Sequence, residues 1–280
     1  MKKKKVGILK FGNIASSVLL EMLLDERADR EDIEVKTISS GAKLTLKSIK
    51  SAFEIFTSQS FDLSIIATPN ASLKAPLGII LELAKKVKHV IVLTDVVKKE
   101  TIEEFKEKKI GYLIVKPDAM IGARREFLDP VEMALFNADL IKVLAIGGVF
   151  NILYQEIDRV LEQIVQKDKV TLPYLTITPA KAVKKANFSN PYAAAKAQAA
   201  LEIAQAAAKV NTDGCFKINK RLEYIPQVAT GHEMIQTAAT LAESAREIEK
   251  ANNKVQRKPH HYKGEIQEKR LLKEKPTSEY

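Results

Sequence analysis

The polar residues best placed to meet a ligand fall in short loops that each follow an apolar strand pattern. The longest such stretch is Lys116-Pro117-Asp118-Ala119-Met120-Ile121-Gly122-Ala123-Arg124-Arg125-Glu126-Phe127-Leu128. It leaves the run Tyr112 to Val115, so Lys116 and Asp118 emerge at the carboxyl end of a strand, where open α/β sheets bind ligands. A Pro, a Gly and two adjacent arginines make this a specific loop that points to binding. Arg124 and Arg125 suit a bidentate clamp on a carboxylate or phosphate, and equally suit ion pairs with Glu126 and Asp129. Asp118 and Asp95 can accept hydrogen bonds from an N–H-rich heterocycle or shape turns. Beyond Leu128 the sequence explains itself structurally, with Asp129 as an N-cap, Pro130 at the first helical position and Glu132 three residues after the cap.

The other loops are Phe11-Gly12-Asn13-Ile14-Ala15-Ser16-Ser17, Ser39-Ser40-Gly41, Thr68-Pro69-Asn70-Ala71-Ser72 and Thr94-Asp95. In the first, backbone N–H groups and the hydroxyls of Ser16 and Ser17 at a helix start suit a phosphate or another anion. The same residues also suit a tight strand-to-helix turn capped by Asn13 or Ser16. The loop is not a dinucleotide fingerprint, because Ala15 stands where G-x-G-x-x-G needs glycine and no acidic residue ends the second strand. NAD is therefore disfavoured, while Ser39, Ser40 and Lys43 leave NADP open on charge grounds. His232-Glu233 is half of a zinc H-E-x-x-H, but residue 236 is Gln, so no metal is expected. The four histidines, three of them late in the chain, assemble no Ser/His/Asp or Cys/His arrangement.

The elements that must position these loops follow a regular alternation. Strands are expected at Val6–Leu9, Glu34–Ile38, Leu63–Ala67, Val90–Leu93 and Tyr112–Val115, with amphipathic helices between them through Val18, Leu19, Leu20, Leu23 and Leu24 and near 45–58, 72–87 and 98–109. Five strands with right-handed crossovers give a doubly wound, mostly parallel, Rossmann-like α/β sheet over residues 1–128, and all five loops reach one edge. From Asp129 the pattern turns helical through residue 252. Helices are expected over 130–145 and 150–167, separated or kinked at Gly147-Gly148, then over the Ala-rich 191–210 and from Gly231 to about Asn252. A Pro-marked connection runs from Thr171 to Ala180, and a short hairpin is expected near 215–228. Residues 253–280 read as an extended basic segment.

The 280 residues include 45 Lys+Arg against 35 Asp+Glu, a net charge of +10. The excess lies in Lys2 to Lys5, the 98–109 helix and the tail, which fits solvated faces better than a nucleic-acid footprint, and aromatics of only 6% argue against a stacking platform. A lone cysteine, Cys215, rules out an internal disulfide framework and points to a reducing compartment, the cytoplasm. No apolar run reaches the roughly 18 to 20 residues that span a bilayer.

The run 116–133, continued through Asn137-Ala138-Asp139-Leu140, closely resembles the archaeal coenzyme F420-dependent methylenetetrahydromethanopterin dehydrogenases. So, in order, do Leu24-Asp25-Glu26-Arg27-Ala28-Asp29-Arg30, Asn190-Pro191-Tyr192-Ala193, Asp213-Gly214-Cys215-Phe216, Tyr224-Ile225-Pro226, His232-Glu233-Met234-Ile235 and Arg257-Lys258-Pro259-His260. The resemblance implies direct hydride transfer between methylenetetrahydromethanopterin and the deazaflavin ring, catalysed by positioning without a metal. It places Gly12, Asn13, Ser16, Ser17, Pro69, Asn70 and Asp95 on the F420 side and Lys116, Asp118, Arg124, Arg125 and His232 on the tetrahydromethanopterin side. It also implies a homo-oligomer, a hexamer, with the Ala-rich helix as a contact.

This chain departs from the family at the sheet edge. Where members usually read K-C-G-N-x-G-x-S, Phe11 replaces the Cys and Ala15 the Gly. P-N-P-A-A-P-G-P stands against Pro69-Asn70-Ala71-Ser72-Leu73-Lys74-Ala75-Pro76, G-D-A-P against Thr94-Asp95-Val96-Val97, and A-S-A-H-E-M against Ala229-Thr230-Gly231-His232-Glu233-Met234. An NADP-linked dehydrogenase and a non-catalytic pterin-binding paralogue are the alternatives those changes leave.

Overall fold

The computed structural model describes residues 3–25, 30–119, 129–166, 169–254 and 256–277. Strands β1 (Lys4–Lys10), β2 (Ile33–Ser39), β3 (Leu63–Ala67), β4 (Val90–Thr94) and β5 (Gly111–Val115) alternate with helices α1 (Ala15–Asp25), α2 (Leu46–Thr57), α3 (Lys74–Lys86) and α4 (Lys99–Glu107). The helical part then runs α5 (Pro130–Ile146), α6 (Val149–Gln166), α7 (Pro179–Ala186), α8 (Pro191–Thr212), a π-helical turn (Asp213–Lys217) and α9 (Arg221–Ala251), with strand β6 (Tyr174–Ile177) between α6 and α7.

The sheet order is β2-β1-β3-β4-β5-β6, and β1 pairs parallel with both β2 and β3. Every residue of β3, β4 and β5 is buried, the near-continuous apolar reading expected of parallel strands covered on both faces. The chain leaves β1 for β2 on one side and returns to place β3 on the other. The topological switch point therefore lies between β1 and β3, where such sheets hold ligands.

The described residues form a six-stranded sheet where the sequence suggests five strands. Within the Pro-marked connection, β6 lies beside β5: the Tyr112 N–H donates to the Pro173 carbonyl (2.7 Å) and the Lys116 N–H to that of Ile177 (3.1 Å), four residues further along both. Four residues are too few for periodicity to show a strand. Packing supplies what sequence does not, with Tyr112 and Tyr174 edge-to-face at 5.5 Å.

The chain divides into two compact units, one formed by Met1–Val115, Leu153–Thr176 and Tyr262–Gly264, the other by Lys116–Ile152, Ile177–His261 and Glu265–Tyr280. In the first unit the Arg30 guanidinium is buried against Asp32 (2.7 and 2.9 Å) and Asp158 (3.1 Å). Burial alone would lower its pKa, but the hydrogen bond to Asp32 and the charges of Asp158 and Asp32 raise it above the ordinary value. Beside this cluster the Glu31 N–H donates to the Tyr262 carbonyl at 2.8 Å. Gly264, at φ +94°, comes so close to Asp32 that a Cβ would lie 2.3 Å from its Oδ2.

In the second unit α8 begins as expected, with Asn190 Oδ1 accepting from the N–H groups of Tyr192 (2.8 Å) and Ala193 (3.4 Å) behind Pro191. Its buried face, Ala193, Ala197, Ala200, Leu201, Ala204 and Ala207, recurs at helical spacing and brings its axis close to α9, whose own buried face includes Gly231, Ala238, Ala242 and Ala245. The carboxylate of Glu249, 2% exposed, accepts hydrogen bonds from the Ser189 N–H and hydroxyl and the Asn190 N–H at 3.0 to 3.1 Å. It clasps the start of α8 to the end of α9.

The hairpin expected near 215–228 is helical. A π-helical turn covers Asp213–Lys217 and α9 begins at Arg221, ten residues ahead of the expected start at Gly231. Short aromatic and β-branched runs suggest strands there, but Tyr224, Val228, His232 and Ile235 are buried at spacings of four, four and three, one face of a helix. The tail is not simply extended either, since isolated antiparallel bridges join His260 with Ile266 and Glu268 with Thr277. No single described helix is long and apolar enough to cross a membrane.

Candidate active site

At the edge of the first unit the loops after β1, β3 and β4 are held to one another by backbone. Gly12 adopts φ +76°, donates its N–H to the Gly41 carbonyl (3.1 Å), and lies where a Cβ would sit 3.1 Å from Pro69 Cδ and 3.3 Å from Leu44 Cδ2. Only glycine makes this turn unstrained. Asn13 is exposed, while Ser16 and Ser17 are buried, and the Ser17 hydroxyl donates to the Ile14 carbonyl at 2.8 Å. The Ser17 hydroxyl is thus committed to the turn. Asn70 pairs with Val96 in a parallel bridge and its side chain accepts from the Ser72 N–H (3.0 Å), an Asx turn. Asp95 is 6% exposed and accepts from the Val96 N–H at 2.9 Å, while the Ser72 hydroxyl accepts from the Lys98 N–H and bonds Thr101.

These loops form a firm rim with a particular donor set. At and beyond the end of β2 stand hydroxyls and a lysine, Ser39, Ser40 and Lys43, and α1 opens with no acidic residue in its first turn. That end of α1 carries partial positive charge suited to an anion. No carboxylate is present at the end of β2 to hold a ribose diol, so the set suits an anion and lacks the ribose partner a dinucleotide would need.

In the second unit the chain after β5 goes straight inward. Pro117, Asp118 and Ala119 are buried, Asp118 only 1% exposed, and Lys116 is half-buried. Across from the start of α5, His232 of α9 stacks on Phe136 with ring centroids 4.4 Å apart and planes 20° from parallel. Its Nδ1 lies 3.0 Å from Glu132 Oε1. Glu132 and Phe136 are four residues apart, so one face of α5 presents both. Asp129 caps that helix by accepting from the Glu132 N–H at 2.8 Å, as its position suggests. The arrangement holds the imidazole on one face and one nitrogen. Arg124 and Arg125, the sequence candidates for a clamp, lie outside the described residues.

Comparison with known proteins gives these two groups a context. Residues 4–277 match the family model described as methylene-5,6,7,8-tetrahydromethanopterin dehydrogenase. The chain belongs to that family. A relative from Methanosphaerula palustris, named F420-dependent methylenetetrahydromethanopterin dehydrogenase, is 50% identical over 97% of this chain and 99% of its own length. One of the same name from Archaeoglobus fulgidus is 48% identical over 97% of this chain and 98% of its own. A solved structure is similar with a TM-score of 0.91 and 39% identity, covering 99% of this chain and 100% of that one. It is described as F420-dependent methylene-tetrahydromethanopterin dehydrogenase in complex with methylene-tetrahydromethanopterin and coenzyme F420.

Within this family member the sequence candidates fall into two groups. Gly12, Asn13, Ser16, Ser17, Pro69, Asn70 and Asp95 gather on the rim of the first unit; Lys116, Asp118 and His232 belong to the second. Sequence reasoning misses Glu132 and Phe136 as holders of His232. The signal for them was the i, i+4 spacing on α5, but their partner lies 100 residues away in the chain. Among the described residues no group of three His, Cys, Asp or Glu could hold a metal ion.

Proposed function

We propose that this chain catalyses reversible hydride transfer between methylenetetrahydromethanopterin and coenzyme F420, forming methenyltetrahydromethanopterin. The observation that carries the reading is near-full-length likeness to the solved dehydrogenase whose description includes both ligands. NADP linkage and a non-catalytic pterin-binding role are not favoured, since the similar proteins are named for F420.

The residues divide the work as follows. The rim of Gly12, Asn13, Pro69, Asn70 and Asp95 receives the deazaflavin, with Ser16 and Ser17 shaping the turn beneath it and the first turn of α1 taking an anionic part of its tail. Bound coenzyme F420 supplies the two-electron hydride carrier. Asp118 and Lys116 hold the polar face of the pterin, and Arg124 and Arg125, further along the sequence, contribute to the same ligand. His232, fixed by Glu132 and Phe136, sets the tilt of that ring. Rings held in near-attack geometry account for about 7–11 kcal/mol of barrier in favourable cases, so orientation is what these residues supply.

The active form is a homo-oligomer, a hexamer by family resemblance, working in the cytoplasm. Exposed apolar side chains support an assembly: Val131 and Leu135 on α5, Tyr192, Phe216 and Leu222 are each more than half exposed. Mixing the purified chain anaerobically with methylenetetrahydromethanopterin and coenzyme F420 should bleach the deazaflavin absorbance. No bleaching at saturating substrates, or equal rates with NADP, would overturn the reading.

A further inference from the structure

We propose that Asn211 and Gly231 form a positioning device that fixes Asp118 and His232 relative to each other, an inference that rests on those two residues binding the pterin. Asn211, the penultimate residue of α8, is 2% exposed and reaches two neighbours of the site. Its Nδ2 donates to the carbonyl of Ala119, the residue after Asp118, at 3.2 Å. Its Oδ1 is buried with no hydrogen-bond partner and points at Gly231, the residue before His232, so closely that a Cβ there would lie 1.7 Å from it.

A glycine in the interior of a long helix is unfavourable relative to alanine and calls for a packing reason. Here the reason is the amide. The bare Cα of Gly231 lets the Asn211 oxygen rest on α9, with a Cα–H directed at it, while the amide nitrogen holds the chain after β5. One buried side chain therefore spans the backbone on both sides of the site, and a π-helical turn, a feature frequent near functional sites, follows it at Asp213. In this role Asn211 is a positioning residue. It acts through the peptide units beside Asp118 and His232.

The inference is tested by steady-state kinetics with each substrate varied in turn. Asn211→Ala removes the link. Gly231→Ala forces the amide off the Ala119 carbonyl, and the double variant Asn211→Ala/Gly231→Ala removes the clash but not the loss. All three should raise KM for methylenetetrahydromethanopterin roughly ten- to a hundred-fold, as sub-ångström to ångström misplacement does, with KM for F420 changed less than about two-fold. Thermal denaturation should show the double variant at least as stable as Gly231→Ala, because the new methyl fills space the amide vacated. Gly78→Ala, on an open face of α3, should leave both KM values unchanged. Unchanged pterin KM in Asn211→Ala while Asp118→Asn raises it would overturn the inference alone, as would equal rises in both KM values. Unchanged pterin KM in Asp118→Asn would overturn the underlying reading and the inference with it.

Discussion

Gly12 sets the limit on what the rim of the first unit tolerates. At φ +76° and within contact distance of Pro69 and Leu44, Gly12→Ala adds backbone strain of about 1–3 kcal/mol and pushes the β1 loop off the β3 loop. Thermal denaturation should show that loss, with a raised KM for F420 and little change for the pterin. His232 allows a finer dissection. His232→Phe keeps a ring on Phe136 but gives up the Glu132 contact, so it should fold with near-parental stability and lose pterin affinity, measured by titration calorimetry. Unchanged affinity would mean that stacking alone matters. Gly12, Asn13 and Asp118 can be singled out in the sequence because each follows a strand, whereas His232 lies inside α9 and is singled out only through the His232-Glu233 pair. Glu132, Phe136 and Asn211 are not, because what defines them is a partner 92 to 100 residues distant.

Elements were legible in proportion to their length and to how local their causes are. Strands β1 to β5 and the start of α5 follow from apolar runs, turn residues and the Asp129-Pro130 cap, all within a few residues of one another. By contrast, β6 exists because β5 offers an edge, and the first turns of α9 exist because Tyr224 and Val228 are buried. No local pattern states either fact. The clasp at Glu249 is likewise a tertiary feature, and it can be measured. Glu249→Ala strips the acceptor from the Ser189 and Asn190 N–H groups, which should cost about 2–4 kcal/mol in a denaturant titration. At the far end of α8, Lys209 and Lys217 each lie 2.7 Å from Asp213 and hold its carboxyl below the ordinary aspartate value of 3.8, chiefly through the hydrogen bond from Lys209 and then that from Lys217. The folded pKa is depressed, so the stabilisation is fully present above 3.8 and is lost as pH falls through the lowered folded value. The melting-temperature gap between parent and Asp213→Asn should therefore persist down to about pH 4 and close below it.

At the scale of the whole molecule, the Arg30 cluster joins segments far apart in the chain. Asp158→Ala leaves a buried guanidinium with one carboxylate in place of two, and breaking a buried pair costs about 3–5 kcal/mol, so the variant should melt well below the parent. An Arg30→Met/Asp158→Leu double variant should recover only part of the loss by calorimetry, since it leaves no guanidinium short of a counter-charge but takes the Arg30 partner from Asp32.

The docking of Tyr262–Gly264 against Glu31 and Asp32 also dictates an order of events during synthesis. A nascent chain that has only just released β5 from the ribosome still lacks Asp158, β6 and the acceptor for the Glu31 N–H. Its sheet has an open edge, and its buried arginine is missing a counter-charge encoded 128 residues downstream. The first unit thus cannot close domain by domain as translation proceeds. It waits for Tyr262–Gly264, and a chain stopped at Lys254 should be digested by protease in its N-terminal half as readily as in its C-terminal one.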